Sequence, residues 1–197
     1  MQRWFVSALI LCAAACASAP VFATDINLNF YPFSARQMSN SDLWDDVDTQ
    51  YAIGGMVDFG ATGSHLHFVA GLHTGVGAKD FSNPLVNDVL ATTSELSFGM
   101  TGIWRHDKGA SPFVSGGLSF VHPELEFDVP GGTLKDDDQA IGFFIEGGVY
   151  WRLSSHFDLG LYGRMLGGTS IELFGEDGDV DYWQFGPMIG WSWPGKK

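Results

Sequence analysis

Residues 141–166, IGFFIEGGVYWRLSSHFDLGLYGRML, decide the fold. Ile141, Phe143, Ile145, Val149, Trp151 and Leu153 hold one phase of a two-residue period; Gly142, Phe144, Glu146, Gly148, Tyr150 and Arg152 hold the other. After Ser154, Ser155 and His156 the alternation resumes, with Phe157, Leu159, Leu161 and Met165 set against Asp158, Gly160, Tyr162 and Arg164. A period of two is the signature of a strand, so the stretch reads as two strands and a tight turn. One phase is bulky and apolar, while the other is mostly small or ionic. The small phase suits the inside of a narrow cylinder, which places the apolar phase on its outside.

The same alternation recurs at 26–31, 48–59, 65–73, 95–104 and 182–193, and 112–121 is strand-like with ambiguous phase. That gives eight strands of about ten residues, close to the roughly 9–11 that cross a bilayer at a tilt. The connections alternate as well. Long segments at 34–47, 77–91, 122–140 and 167–180 are interleaved with short ones at 60–64, 106–111 and 154–156. A soluble sandwich gives no reason for this, whereas a membrane barrel has tight turns at one rim and extended loops at the other. Tyr31, Phe33, Tyr51, Phe59, Trp104, Trp151, Tyr182, Trp183, Trp191 and Trp193 fall near strand ends, where interfacial girdles form.

Composition agrees. The chain has 197 residues, 45% hydrophobic and 17% charged, poorer in charge than the roughly 25% of ordinary soluble domains. Twenty-three acidic against ten basic side chains argue against nucleic acid, whose phosphates need clustered Lys and Arg. Residues 1–23 read as a secretory signal, with Arg3, an apolar run from Trp4 to Ala15, and small residues ending at Ala23. The barrel domain is then 24–197. Removing Arg3 with the leader takes the net charge from −13 to −14, and both cysteines, Cys12 and Cys16, depart with it. Cys16 follows three alanines, whereas a lipoprotein signal places a larger aliphatic residue three before its cysteine, so lipidation at Cys16 is the lesser alternative.

The last strand, Gln184-Phe185-Gly186-Pro187-Met188-Ile189-Gly190-Trp191, resembles the assembly signal of outer-membrane barrels: a polar residue, Gly two later, then alternating hydrophobics through Ile189 and Trp191. With the leader and the loop alternation, the chain resembles the small eight-stranded OmpA/OmpX-like outer-membrane proteins over nearly its whole mature length. The resemblance implies an all-β, eight-stranded antiparallel up-and-down transmembrane β-barrel in a Gram-negative outer membrane. It implies outer-membrane lipid, lipopolysaccharide and the barrel assembly machinery as partners, a monomer, and a structural or surface-interaction role with a plugged, non-conducting lumen. Two alternatives stand beside it. One is a lipid A-modifying enzyme of deacylase or acyltransferase type, although no His here has Ser two residues later. The other is a soluble lipocalin-like carrier.

Chemistry-bearing residues sort by phase. Glu95, Glu146, Arg152 and Arg164 point inward, and Glu146 and Arg164 lie on adjacent strands, which predicts a lumenal ion pair. His65 and His67 share that phase and are candidates for one metal site, with His73 about 20 Å from His67 along the strand. The long loops are acidic. Asp136, Asp137 and Asp138, and Asp177 with Asp179, could hold a divalent cation; the plainer reading is solvated loop tips. No cofactor is otherwise implied. Ile171, Leu173, Phe174, Leu85, Val86, Val89 and Leu90 give these loops apolar patches that could meet lipid or a partner.

Overall fold

The computed structural model describes residues 24–38, Trp44, 47–83, 86–104 and 109–193. The leader expected over 1–23, with Cys16, lies outside the described residues. Among the described residues eleven strands run in chain order: β1 (Thr24–Met38), β2 (Thr49–Ala61), β3 (Leu66–Asn83), β4 (Val86–Ile103), β5 (Ala110–Val129), β6 (Gly132–Asp137), β7 (Ala140–Arg152), β8 (Phe157–Gly167), β9 (Ile171–Leu173), β10 (Glu176–Gly178) and β11 (Tyr182–Trp193). Eight of them, β1–β5, β7, β8 and β11, form a closed antiparallel ring in which β11 returns to pair with β1. The remaining three belong to the outer connections.

The wall is inside out by the standard of a soluble domain. Leu28, Phe30, Ile53, Phe68, Leu118, Phe143, Ile145, Leu161, Met165, Phe185 and Trp191 are exposed on the outer surface, while Asn27, Asn29, Asp58, His67, Ser97, Glu95, Ser119, Glu146 and Arg164 are buried within. A soluble monomer does not expose a contiguous apolar surface of this extent; a membrane barrel must. The interior stays narrow because glycine lines parts of it. At the Gly99–Gly117 pair of β4 and β5, a Cβ on either residue would lie within 2.3 Å of the other strand's backbone, so only glycine permits this approach. The phase of β5, ambiguous in sequence, is settled by Phe113 and Val121, which point inward with Ser115 and Ser119.

Two features depart from the sequence reading. First, β1 does not stop near Tyr31 but runs to Met38 through a bulge. Phe30 pairs with Ile189 and Ala35 with Phe185, so β1 carries one more residue than β11 over this interval. Pro32 sits in the bulge, where it withholds no ladder hydrogen bond, and Pro187 of β11 lies opposite. The extra residue reverses the phase: Phe30 faces outward, yet Ser34 and Arg36 face inward and are buried.

Second, the long outer connections are not mainly irregular. β3, β4 and β5 have 18, 18 and 20 residues, about 60 Å each, and project well beyond a bilayer core of roughly 30 Å. β6 pairs back on β5, and β9 with β10 forms a small separate hairpin. Strand pairing persists there because alternation persists with its sense inverted. Above the lipid belt Val89, Ala91, Leu125, Ile171 and Leu173 turn inward and are buried, while Glu124, Glu126, Asp128 and Lys135 turn outward.

Candidate functional site

The centre of the lumen is a single polar network around Arg164 of β8. Antiparallel register sets Arg164 directly opposite Glu146 of β7 on one side and Gln184 of β11 on the other. Arg164 Nη1 donates to Glu146 Oε2 at 3.3 Å, Nε donates to Tyr182 Oη at 3.1 Å, and Nη2 donates to Ser97 Oγ at 2.7 Å and to Glu95 Oε1. Its guanidinium lies 4.1 Å from the centre of the Phe144 ring. Glu95 accepts in addition from Ser119 Oγ at 2.6 Å and from the Tyr182 hydroxyl, and Tyr31 Oη donates to Glu146 Oε1 at 2.9 Å. Arg164, Glu95 and Glu146 have side chains no more than 1% exposed. Buried charges survive only when paired and hydrogen-bonded, and each carboxylate here has a cation and a hydroxyl.

A second cation, Arg36, enters the same tier through the β1 bulge. Its Nε donates to Gln184 Oε1 at 2.9 Å, its guanidinium lies 4.0 Å over the Tyr182 ring, and its Nη2 is 3.8 Å from Glu95 Oε2. Gln184 Nε2 donates in turn to Tyr162 Oη at 2.5 Å. The Thr93 hydroxyl donates to Gln50 Oε1 at 2.5 Å, and the His73 ring packs 5.2 Å from that of Tyr31. Sequence reading missed Arg36 because strict alternation from Ile26 and Phe30 assigns it to the lipid face. The signal that could have found it is Pro32, a residue that a continuous strand tolerates only at a bulge or an edge.

Toward the short-turn rim the lumen holds two smaller clusters. Asp58 takes His67 Nδ1 at 2.8 Å, with Asn27 and, at 3.3 Å, Asn29 as further donors. Asp158 binds Arg152 Nε at 3.0 Å and Ser192 Oγ at 3.2 Å. Arg152 therefore does not join the Arg164 network; it is half-buried and forms its own pair near the rim. His65 and His67 do not converge either. His65 lies before β3 on the turn, exposed, with Nδ1 3.1 Å from the Ile103 carbonyl, whereas both nitrogens of the buried His67 are occupied by Asp58 and the Ser64 carbonyl. Their expected common phase fails because β3 begins only at Leu66.

The acidic outer residues also have partners. Asp136 Oδ2 accepts the Phe174 amide at 2.6 Å and Asp138 Oδ2 the Glu172 amide at 2.8 Å, so one carboxylate on β6 and one just after it clamp the β9–β10 hairpin. Asp137 lies 3.7 Å from His122 Nε2, Asp179 accepts the Asp181 amide at 3.2 Å, and Asp177 is exposed on β10. Among the described residues no three His, Cys, Asp or Glu side chains are grouped so as to hold a metal ion. Ile171, Leu173 and Val89, expected as patches for lipid or a partner, are instead buried with Met38, Trp44, Val47, Leu125 and Val180 in an apolar cap over the outer mouth. Trp44 Nε1 donates to the Asp179 carbonyl at 2.6 Å and ties the first connection to the last.

No protein-family model and no curated protein matches the sequence. Solved structures do. The Neisserial surface protein NspA is 11% identical, with a TM-score of 0.53 over 86% of this chain and 96% of its own. The Ail protein of Yersinia pestis, in complex with the heparin analogue sucrose octasulfate, is 11% identical with a TM-score of 0.56 over 88% of this chain and 100% of its own. This chain has the fold of the small outer-membrane barrels. The outer membrane protein OprG of Pseudomonas aeruginosa extends the likeness, at 14% identity and a TM-score of 0.50 over 87% of this chain and 96% of its own. The outer-membrane location expected from the sequence agrees with these neighbours and with the apolar outer wall.

Replacing Arg164 by methionine strands Glu95 and Glu146 in the lumen, and the expected loss of stability is about 3–5 kcal/mol. Arg152→Met, where the arginine is partly exposed and the buried Asp158 keeps its Ser192 donor, is expected to cost less, about 1–2 kcal/mol. Urea unfolding of the barrel in lipid, followed by tryptophan emission, measures both; equal losses would show that the central tier is not the principal ionic support.

Outside the membrane, Asp138 supplies a pH dependence. The Glu172 amide, and after it the Gln139 amide, hold its carboxyl below the ordinary carboxylate range. A folded pKa that is depressed makes the clamp complete above the ordinary carboxylate pKa and loosens it as pH falls toward the folded value. The protection of the Glu172 amide relative to its intrinsic exchange rate should therefore fall with acidification, and Asp138→Asn should remove that pH dependence.

Proposed function

We propose that this protein is a monomeric, non-conducting outer-membrane barrel that serves as a rigid post and acts through the surface its outer hairpins present. The observation that carries this reading is the Arg164 network. Its members come from β1, β4, β5, β7, β8 and β11, so charged and hydroxyl side chains from six of the eight walls meet in one buried tier. The apolar cluster at the outer end supports the same reading, since the described residues Val89, Leu125, Ile171 and Leu173 fill it with apolar side chains. An eight-stranded barrel has an interior that side chains just fill.

The remaining partners follow from the two surfaces. The outer wall fits outer-membrane lipid, with lipopolysaccharide at the outer rim. The strand carrying Gln184, Gly186, Ile189 and Trp191 is the segment the assembly machinery would read. In the folded barrel its parts have further roles: Gln184 is a lumenal hydrogen-bonding residue, Gly186 abuts Phe33 and Ser34 at the β1 bulge, and Trp191 faces outward. The outer hairpins expose Asp128, Asp137, Glu172, Glu176 and Asp177. That charge repels polyanions of the kind bound to Ail, so a sulfated saccharide is not the ligand we infer.

Planar-bilayer recording tests the reading. Inserted wild-type protein is expected to leave the bilayer at baseline, without long-lived steps. Sustained ohmic openings of uniform size would overturn the plugged lumen.

A further inference from the structure

Phe174 is the one non-glycine residue with positive φ among the described residues, at 53°. It begins the two-residue turn of the β9–β10 hairpin, closed by the Leu173–Glu176 pair and completed by Gly175 at φ 81°. Turns with both central residues left-handed favour Asn, Asp or Gly in the first position, and a bulky aromatic there is strained. Strain of this kind persists only where the surroundings enforce it. Here the enforcing contact is the bond from the Phe174 amide to Asp136 Oδ2.

The strain holds an aromatic ring at the surface. Phe174 is 43% exposed and sits edge-on to Phe127, with ring centres 5.4 Å apart. Leu134 of β6, directly across the ladder from Phe127, is 55% exposed. Together they form an apolar tip continuous with the buried cap beneath. Lipid does not explain it. The outward apolar residues of β5 end at Phe120, and Phe127 lies about 23 Å further along the strand. The tip is rimmed by exposed carboxylates of the hairpin, Glu172, Glu176 and Asp177.

We propose that this tip is a docking surface for a partner polypeptide segment that sets apolar side chains beside lysine or arginine. The apolar centre takes the former and the carboxylate rim the latter, with Asp136 acting as a positioning residue for Phe174. The inference rests on the reading of the barrel as a presenting post.

The test uses the full chain in zwitterionic lipid nanodiscs and a short labelled peptide of alternating leucine and lysine, with empty discs as the baseline. Saturable binding above that baseline is expected, weakened by added salt. Phe174→Asn should weaken it at least tenfold while raising or preserving the urea midpoint, because asparagine relieves the turn; Leu134→Thr should weaken it severalfold. Unchanged binding by Phe174→Asn, equal binding of a serine–lysine peptide, or no binding above empty discs would each overturn the proposal. These outcomes are independent of conductance, so a sealed barrel without peptide binding rejects the docking surface alone, whereas an open channel rejects the post.

Discussion

A strand in hydrocarbon has no water to satisfy its amides, so each N–H and C=O must find another strand. That constraint explains why β11 returns to β1 and why no sheet edge faces the lipid. It also bears on two of the four prolines in the wall, Pro32 of β1 and Pro187 of β11, the others being Pro112 and Pro123 of β5. Pro32 lies where the register of β1 with both neighbours is interrupted, and Pro187 lies in the facing interval of β11, so neither holds a paired position on the β1–β11 ladder. The bulge has a second effect: by adding one residue it turns Arg36 from the lipid to the lumen.

Once closed, the wall must put something inside that is small and polar, with its carboxylates paired. Glycine supplies the smallness where β4 and β5 approach, and serine and threonine supply short hydroxyls. Two arginines and two glutamates supply charge that neutralises itself. Beyond the bilayer the constraint reverses, because water again surrounds the wall. The same strands then bury Val89 and Leu125 within and display Glu124 and Glu126 outside. One polypeptide therefore follows two opposite patterning rules along single strands, with the change falling near Phe120 on β5.

This reversal governs what could be read from the sequence. The lipid-crossing parts were legible because bulky apolar residues alternate there with small or ionic ones, as in 141–166. The opposition of Glu146 and Arg164 followed from phase and from the short turn between their strands. The outer extensions were not legible. Their buried phase is apolar and their exposed phase acidic, so a reader tracking one sense of alternation takes 122–140 for a loop. Arg36 was hidden by the bulge, and His65 was misassigned because one residue at a strand end decides its side. The acidic residues at Asp136 and Asp138 suggested a cation, yet their partners are backbone amides from a hairpin thirty-odd residues away, a contact that no local spacing announces.

The orientation of the wall is the claim on which everything else depends. Residues 24–197 contain no cysteine, so in that segment single cysteines can be placed at 143, 144, 145 and 146 and labelled with an environment-sensitive fluorophore in bilayers containing brominated lipid. Labels at 143 and 145 should be strongly quenched and those at 144 and 146 only weakly. Quenching of 144 and 146 instead, or equal quenching at all four, would contradict the inside-out arrangement.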